Sequence, residues 1–487
     1  MSDDETARPA EHVEEWDALV VGGGVAGLVA ARELLRAGVR TLVVDGRDAV
    51  GGAVRGHVVA GLALDAGAES FATRGGTVAR YLDELGLADR VVAPSGLGSW
   101  VHLPSGDGPL PRTGLLGIPS QPWAPDVRRT LGLVGALRAA CDALLPRRVG
   151  ASAATLGDLV RARMGSRAVD RLVRPVVGGV HAADPDELAV DAVAPGLPAA
   201  LASSRTLARA VRSLRAAAPA GAAVQGLDGG VHVLVDTLSE QVTALGGQVR
   251  VRTRAVGATR PDELTERVLV ELADGSRVRT HRLVVAAPQA LGVLAAVLPG
   301  LDDVTLDAGA DVRLVTLVLD APELDAAPRG TGVLVGRDAN DVAAKALTHA
   351  TAKWPWLAAR TPAGRHVVRL SYGRGDGPDE PAHATLDGAG LVALALADAA
   401  TLLGVPLHTE QVVDSSVVRW TQALPRPSAQ HRDAVATVRG ALAAQPAAPV
   451  RVAACGAWLA GNGLASVIPD AVAAARSLLP AGADQIS

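Results

Sequence analysis

Near the start of the chain, Val20-Val21-Gly22-Gly23-Gly24-Val25-Ala26-Gly27 joins an apolar run, Trp16–Val21, to a helical pattern, Ala26–Ala37, which Gly38 ends. No other feature restricts the fold as much. A second apolar run, Arg40–Val44, follows directly, so the three pieces predict a compact βαβ unit with parallel strands. Gly22 permits the tight turn, Gly24 lets a pyrophosphate approach the backbone, and Gly27 allows the helix to lie close on the strand. Gly23, Val25 and Ala26 stand at the helix start, where free N–H groups and the positive dipole end favour phosphate. Asp45 ends the second strand 18 residues after Gly27, close to where an acidic side chain accepts ribose hydroxyls. The glycine spacing alone is a weak signal. With a strand before it, a helix after it and the acid beyond, it predicts a dinucleotide site.

A chain of 487 residues is expected to form two or three domains. Its net charge of −4 argues against a nucleic-acid binder with a broad basic face. Of its 47 basic residues only Lys345 and Lys353 are lysine, which reads as a high-GC coding bias and not as chemistry. Cys141 and Cys455 lack CxxC spacing and read as small core residues of a reduced, cytoplasmic protein. His57, His102, His181, His232 and His431 have no close ligand spacing, so no metal site is expected. Residues 1–14 are acidic and polar, without a cationic start or apolar stretch, and read as a disordered tail. Two uncharged runs, Leu283–Leu301 and Val452–Pro469, approach the length of a membrane span. Pro288, Pro299, Gly456, Gly461 and Gly463 interrupt them, which predicts buried strand–turn–helix units instead.

Helical patterns at Ala124–Leu145, Thr155–Val173 and Ser203–Ala217 suggest a helical insertion over 110–225. Strands are expected at Val249–Val256, Val268–Leu272 and Arg277–Val285, with Asp274-Gly275 as a hairpin turn. Val312–Leu319, Gly332–Val335 and His366–Tyr372 suggest a second sheet. From Arg451 the chain returns to strand, glycine-rich turn and helix. The expected architecture is α/β, its nucleotide domain built from 15–95, 226–301 and 440–487. The helical insertion, and a sheet domain from 96–109 and 302–439, lie between those segments.

Further motifs narrow the chemistry. Asp45-Gly46-Arg47-Asp48-Ala49-Val50-Gly51-Gly52-Ala53-Val54-Arg55 resembles the signature of the FAD family that includes amine oxidases, phytoene desaturases and protoporphyrinogen oxidases. Gly46, Gly52 and Ala53 would bring backbone N–H groups near the pyrophosphate, and Arg55 can neutralise it. Leu64-Asp65-Ala66-Gly67-Ala68-Glu69-Ser70-Phe71 resembles the segment beside the flavin in bacterial porphyrinogen oxidases, and Leu116-Gly117-Ile118-Pro119 a stretch common among them. Arg174-Pro175 through Asp184-Pro185, with Leu188, is similar to their P-x-x-x-G-x-Y-A-G-D-P-x-x-L, with His181 in place of tyrosine and Ala183 in place of glycine. Gln225–Gly230 before His232-Val233-Leu234-Val235 resembles their glycine-rich turn into a helix. Arg419-Trp420, Ala423-Leu424-Pro425 and His431 resemble W-x-x-A-L-P-x-x-x-x-x-H. Cys455-Gly456-Ala457-Trp458-Leu459-Ala460-Gly461-Asn462-Gly463-Leu464 resembles the closing flavin loop, with Ala471 standing where a glycine is usual.

The resemblance spans about 16 to 475 and is specific to coproporphyrinogen III or protoporphyrinogen IX oxidases, leaning to the bacterial, coproporphyrinogen-using branch. It implies a Rossmann-like FAD domain with a helical insertion and a mixed-sheet substrate domain. It implies non-covalent FAD, and six-electron oxidation of a porphyrinogen in haem biosynthesis, with dioxygen as acceptor and hydrogen peroxide as product. The flavin segment Gly67, Ala68, Glu69 and Ser70 and the loop Gly456, Gly461, Asn462, Gly463 and Leu464 would hold the cofactor. Val256 would contact adenine through its backbone or simply pack in a strand, and Trp420 would cover the flavin or fill core. Arg74 would pair with a substrate propionate or lie at the surface, and a turn at Gly178, Gly179 and Val180 would line the cavity. No side chain is expected to act as an indispensable acid or base, since the flavin carries the chemistry. Partners would be the porphyrinogen and dioxygen, with peripheral membrane contact and a transient contact with the next haem-pathway enzyme as further expectations. Rival readings are an amine oxidase or desaturase of the same fold, and a non-catalytic FAD- or porphyrin-binding protein.

Overall fold

The protein, described here from a computed structural model, is defined over residues 13–181, 184–217, 224–259, 266–307, 309, 311–373, 385–421, 428–445 and 450–480. Ala18, Leu19, Val20 and Val21 are buried on both faces of the first strand, Val13–Val21, as a central parallel strand requires. It lies between Thr41–Val44 and Arg277–Val285 and runs parallel to both. Gln248–Arg250 adds a parallel edge beyond Thr41–Val44. On the other side, Arg277–Val285 pairs antiparallel with Val268–Leu272 through its first half and parallel with Arg451–Ala454 through its second. Ala255–Thr259 closes that edge. One sheet is thus assembled from three separated stretches of chain. Helices Val25–Arg36, Val233–Ala244 and Leu464–Ser477 cover one face, and Leu291–Val297 and Ala429–Ala443 pack on the other.

The uncharged runs fold as strand, turn and helix, and no helix among the described residues is long and apolar enough to cross a membrane. Four expectations need correction. The run Val249–Val256 is not one strand: Arg252 adopts a left-handed φ of 54°, its N–H reaching the Arg47 carbonyl at 2.6 Å. The chain therefore breaks after Arg250, and its two halves end on opposite edges of the sheet. Val13 and Glu14 belong to the first strand and not to a tail, because Glu14 forms an ion pair with Arg250 at 2.6 Å; residues 1–12 lie outside the described residues. The pattern Thr155–Val173 breaks at Gly165 (φ +90°) and resumes through a π-helical turn at Val169–Val173. Lastly, Gly178, Gly179 and Val180 are helical, within Arg174–His181, where a turn was expected. Arg174 anchors the first turn of that helix to Asp184 and Asp186, and such tertiary anchoring outweighs glycine's roughly 1 kcal/mol helix penalty.

The second sheet runs Val412–Trp420, Val312–Asp320, Arg365–Tyr372, Ala346–His349, Gly332–Val335, Trp100–His102 and Gly108–Pro109. Helix Gly388–Leu403 buries Leu391, Ala395, Ala399 and Leu402 against it. The helical part, from 125 to 217, has its own core of Leu131, Leu156, Val160, Leu172, Leu197 and Val211. Its deepest polar contact is Arg163 to Asp142, 2.5 Å apart and both almost wholly buried, with further Arg163 bonds to the Pro146 and Arg205 carbonyls. Removing one partner leaves a buried charge unmatched, so Arg163→Ala is expected to cost about 3–5 kcal/mol of stability. A denaturant titration of variant against wild type checks this, and a loss below about 1 kcal/mol would show the pair to be dispensable.

Candidate cofactor and substrate site

The glycine turn is built by close approach. A Cβ on Gly27 would overlap the Gly22 carbonyl, so the helix Val25–Arg36 can lie this low on the strand tip only because residue 27 is glycine. Gly22 has φ +109°, and a Cβ there would stand 2.8 Å from that of Ala287. Gly24 is different: its added Cβ would meet only the Gly52 Cα, at 3.9 Å. Gly24 bridges to Gly51 in parallel fashion, and the Gly51 N–H donates to the Gly23 carbonyl at 2.8 Å. Gly24 and Gly52 therefore face each other across a trough without side chains, at the N-terminus of a helix whose first N–H groups have no partner within it. That arrangement fits a pyrophosphate.

Asp45 is held ready beside it. One carboxylate oxygen accepts the Gly23 N–H at 2.7 Å and the other the Arg47 N–H at 2.8 Å. Each oxygen keeps a lone pair for a ribose hydroxyl. Gly46 packs on the Arg254 side chain. Val256 is the extra residue where the register with Val268–Leu272 shifts, and it is half exposed.

Beyond the trough, Ala66 N–H donates to the Arg55 carbonyl at 2.7 Å and Ala68 N–H to the Ala53 carbonyl at 2.9 Å. The strip Ala66–Ser70 thus continues directly from Gly51–Arg55. A Cβ on Gly67 would overlap the Ala53 carbonyl and come within 3.2 Å of the Trp420 ring. Trp420 is buried, its indole N–H bonded to the Ala66 carbonyl at 2.9 Å and its ring flanked by the guanidinium groups of Arg47 and Arg55. Arg55 itself is engaged by Asp48 at 3.1 Å.

The closing loop lies past Arg451–Ala454. Asp470 accepts the Gly456 N–H at 3.0 Å and also binds Arg439. Gly461 and Gly463 hold φ of +85° and +100° with open space around them, and Asn462 is exposed. Leu464 starts the last helix, which packs along Val25–Arg36 with Ala471 wholly buried. Ala471 is therefore accommodated where a glycine was expected. The helices that begin after Gly24 and Gly463 pack against each other.

Glu69 is not free to meet a ligand. Lys353 Nζ lies 2.5 Å from one of its oxygens and Arg369 3.1 Å from the other. Burial opposes its charge, but Arg369, Lys353 and the Thr348 hydroxyl outweigh that and hold the carboxyl down to about 2. Arg369 also donates to the carbonyls of Asp65 at 3.0 Å and Gly67 at 2.8 Å. Asp65 accepts the N–H groups of Val231 and His232 and the His232 ring, so the turn Gly230–His232 is pinned to the same strip. Asp65, Lys353 and Arg369 were missed as site residues. Lys353, one of only two lysines, carried a signal; Arg369 is one arginine among many in a strand.

A Cβ added at Gly178 would meet nothing within 4 Å. The side chains of Arg74, Val180 and His181 and the segment holding Ala423-Leu424-Pro425 lie outside the described residues.

The three-segment sheet, the glycine trough and the paired helices define a flavin-dependent oxidoreductase, and comparison with known proteins agrees. The chain belongs to the flavin-containing amine oxidoreductase family, whose profile matches residues 25–477, and its cofactor is FAD. The coproporphyrinogen III oxidases of Mycobacterium tuberculosis (strain ATCC 25618 / H37Rv) and Bacillus subtilis (strain 168) are 31% and 25% identical to it. The matches cover 95% and 87% of this chain and 97% and 90% of theirs. A crystal structure from Exiguobacterium sp. 255-15, provisionally described as a protoporphyrinogen oxidase, has a TM-score of 0.78 at 23% identity, over 96% of this chain and 98% of that one. A putrescine oxidase with bound putrescine has a TM-score of 0.62 at 17% identity, over 96% and 98%. These likenesses establish the fold.

The trough yields a direct test. Because space around Gly24 is open, Gly24→Val should fold with little loss of stability while filling the place of the pyrophosphate. Purified wild type should be yellow and release FAD on denaturation, and the variant should be colourless with an unchanged far-ultraviolet spectrum. A yellow variant would move the phosphate site elsewhere.

Proposed function

We propose that the protein oxidises coproporphyrinogen III to coproporphyrin III in haem biosynthesis, with dioxygen as electron acceptor. The observation that carries this reading is the end-to-end similarity to coproporphyrinogen III oxidases, in a chain whose trough, strip and closing loop are all intact. Bound FAD supplies a two-electron acceptor. The residues Gly22–Gly27, Asp45, Gly52–Arg55, Val256 and Gly456–Leu464, with the backbone of Gly67–Ser70, would hold it. The substrate loses six electrons and six protons in three rounds, and three dioxygen molecules become three hydrogen peroxide. Pyrroles stabilise the cation left by hydride loss, so the protein's task is to orient a bridge carbon, exclude water and hold propionates. Trp420, buried and bonded to the Ala66 carbonyl, would cover the flavin. Gly178 leaves room for a flat macrocycle, and Arg74 is the proposed propionate partner.

Coproporphyrinogen III has four propionates, whereas protoporphyrinogen IX has two propionates and two vinyl groups. A pocket that pairs or solvates the extra carboxylates favours the first, and a dry one penalises it through desolvation. An aerobic assay of both, following porphyrin fluorescence and peroxide, is expected to give the higher kcat/KM with coproporphyrinogen III. Preference for protoporphyrinogen IX would overturn the substrate. Turnover of amines or polyenes alone, or of nothing, would favour the rival enzymes or a carrier.

A second proposal concerns membranes. In the helix Pro125–Ala140 and the turn after it, Leu133, Val134, Leu137 and Leu144 are 55–80% exposed, and Arg128, Arg147 and Arg148 on the same segment are also exposed. Apolar side chains beside exposed arginines suit the surface of an anionic bilayer. The protein should co-sediment with vesicles containing phosphatidylglycerol more than with pure phosphatidylcholine, and Leu133→Glu with Leu137→Glu should abolish this. Equal recovery in the absence and presence of vesicles would dismiss the contact.

A further inference from the structure

Between the two sheets one carboxylate faces two cations. Glu69, on the strip Ala66–Ser70, is gripped by Lys353 from the helix Ala350–Lys353 and by Arg369 from the strand Arg365–Tyr372. All three side chains are 12–16% exposed, so their charges are poorly screened. The neighbouring carboxylate, Asp65, is held separately by two backbone N–H groups and the His232 ring, so Glu69 alone faces both cations directly. The compact ammonium of Lys353 reaches Glu69 while lying 5.0 Å from the Trp354 ring centre. In a chain that uses arginine for 45 of 47 basic residues, a partly buried lysine here departs from the coding bias.

We propose that Lys353 and Arg369, paired with Glu69, are positioning residues that hold the flavin-facing strip in register and set the electrostatic potential beside the cofactor. This rests on the cofactor site proposed above. Through Arg369 the pair grips the Asp65 and Gly67 carbonyls, so the backbone set against Ala53 and Trp420 cannot move without breaking buried charge contacts. Each positive charge of this cluster favours the form of the cofactor that has taken up electrons and anions bound next to it, and the Glu69 carboxylate opposes both.

The test uses the purified FAD-loaded protein and sulfite, an anion whose binding bleaches the visible flavin absorbance. Lys353→Met removes a positive charge and should weaken sulfite binding by roughly three- to tenfold, and Glu69→Gln removes a negative one and should tighten it by a similar factor. The flavin midpoint potential should fall in the first variant and rise in the second. Lys353→Arg keeps the charge, so its sulfite affinity should stay within about threefold of wild type even where its melting temperature falls. A purely structural role would make sulfite affinity follow stability, with Lys353→Met and Glu69→Gln moving the same way. That result, or no shift in either with FAD retained, overturns the inference. A wild type that holds no FAD would instead overturn the cofactor site itself.

Discussion

The structure depends on how closely the helix Val25–Arg36 lies on the tip of the first strand. Gly27 sits against the Gly22 carbonyl with no room for a Cβ, and this contact aims the helix N-terminus at the trough. Once that helix is placed, the glycine bridge from Gly24 to Gly51 has its partner at the right depth. The last helix, Leu464–Ser477, packs along it through small residues such as Ala471. A wider side chain at residue 27 would lift the helix and separate all of these groups together.

The rest of the molecule is tied to that trough through one backbone strip. Ala66 and Ala68 bond to Arg55 and Ala53 on the nucleotide side. On the sheet side the same strip is held by Trp420, Arg369 and Lys353. Residues more than 280 positions apart in the chain therefore share one hydrogen-bonded seam, which is how a site made by two sheets keeps a fixed geometry. The helical part is joined to the second sheet at another point, where Arg337 and Arg174 both bind Asp184. The Asp184-Pro185 motif thus serves as an ionic clamp between the sheet and a helix end.

Much of the candidate site's geometry was legible because it is local. Gly22, Gly24, Gly27 and Asp45 act through the conformation or position of a short run, and a short run is what a motif records. Glu69 was recognised within its motif, but its task was not: it is spent on Lys353 and Arg369 and cannot be a free ligand. Arg369 has no local signal, since its partners are carbonyls some 300 positions away. Arg163 was equally hidden, one arginine in an arginine-rich helix whose partner Asp142 lies 21 positions earlier.

By itself the sequence determined the strand–glycine–helix start, the split of the nucleotide sheet into three segments, the alternation of helical and sheet insertions, and the family. These follow from periodicity, glycine spacing and ordered motifs, all of which are properties of neighbouring residues. Only the tertiary structure decided that the run after Gln248 splits to opposite edges of the sheet, that Gly178–Val180 are helical, and which charges are neutralised. A left-handed residue such as Arg252, a helix anchored by distant acids and a buried carboxylate shared by two cations are set by packing between segments. Their energies come from burial and from partners that the linear order does not bring together.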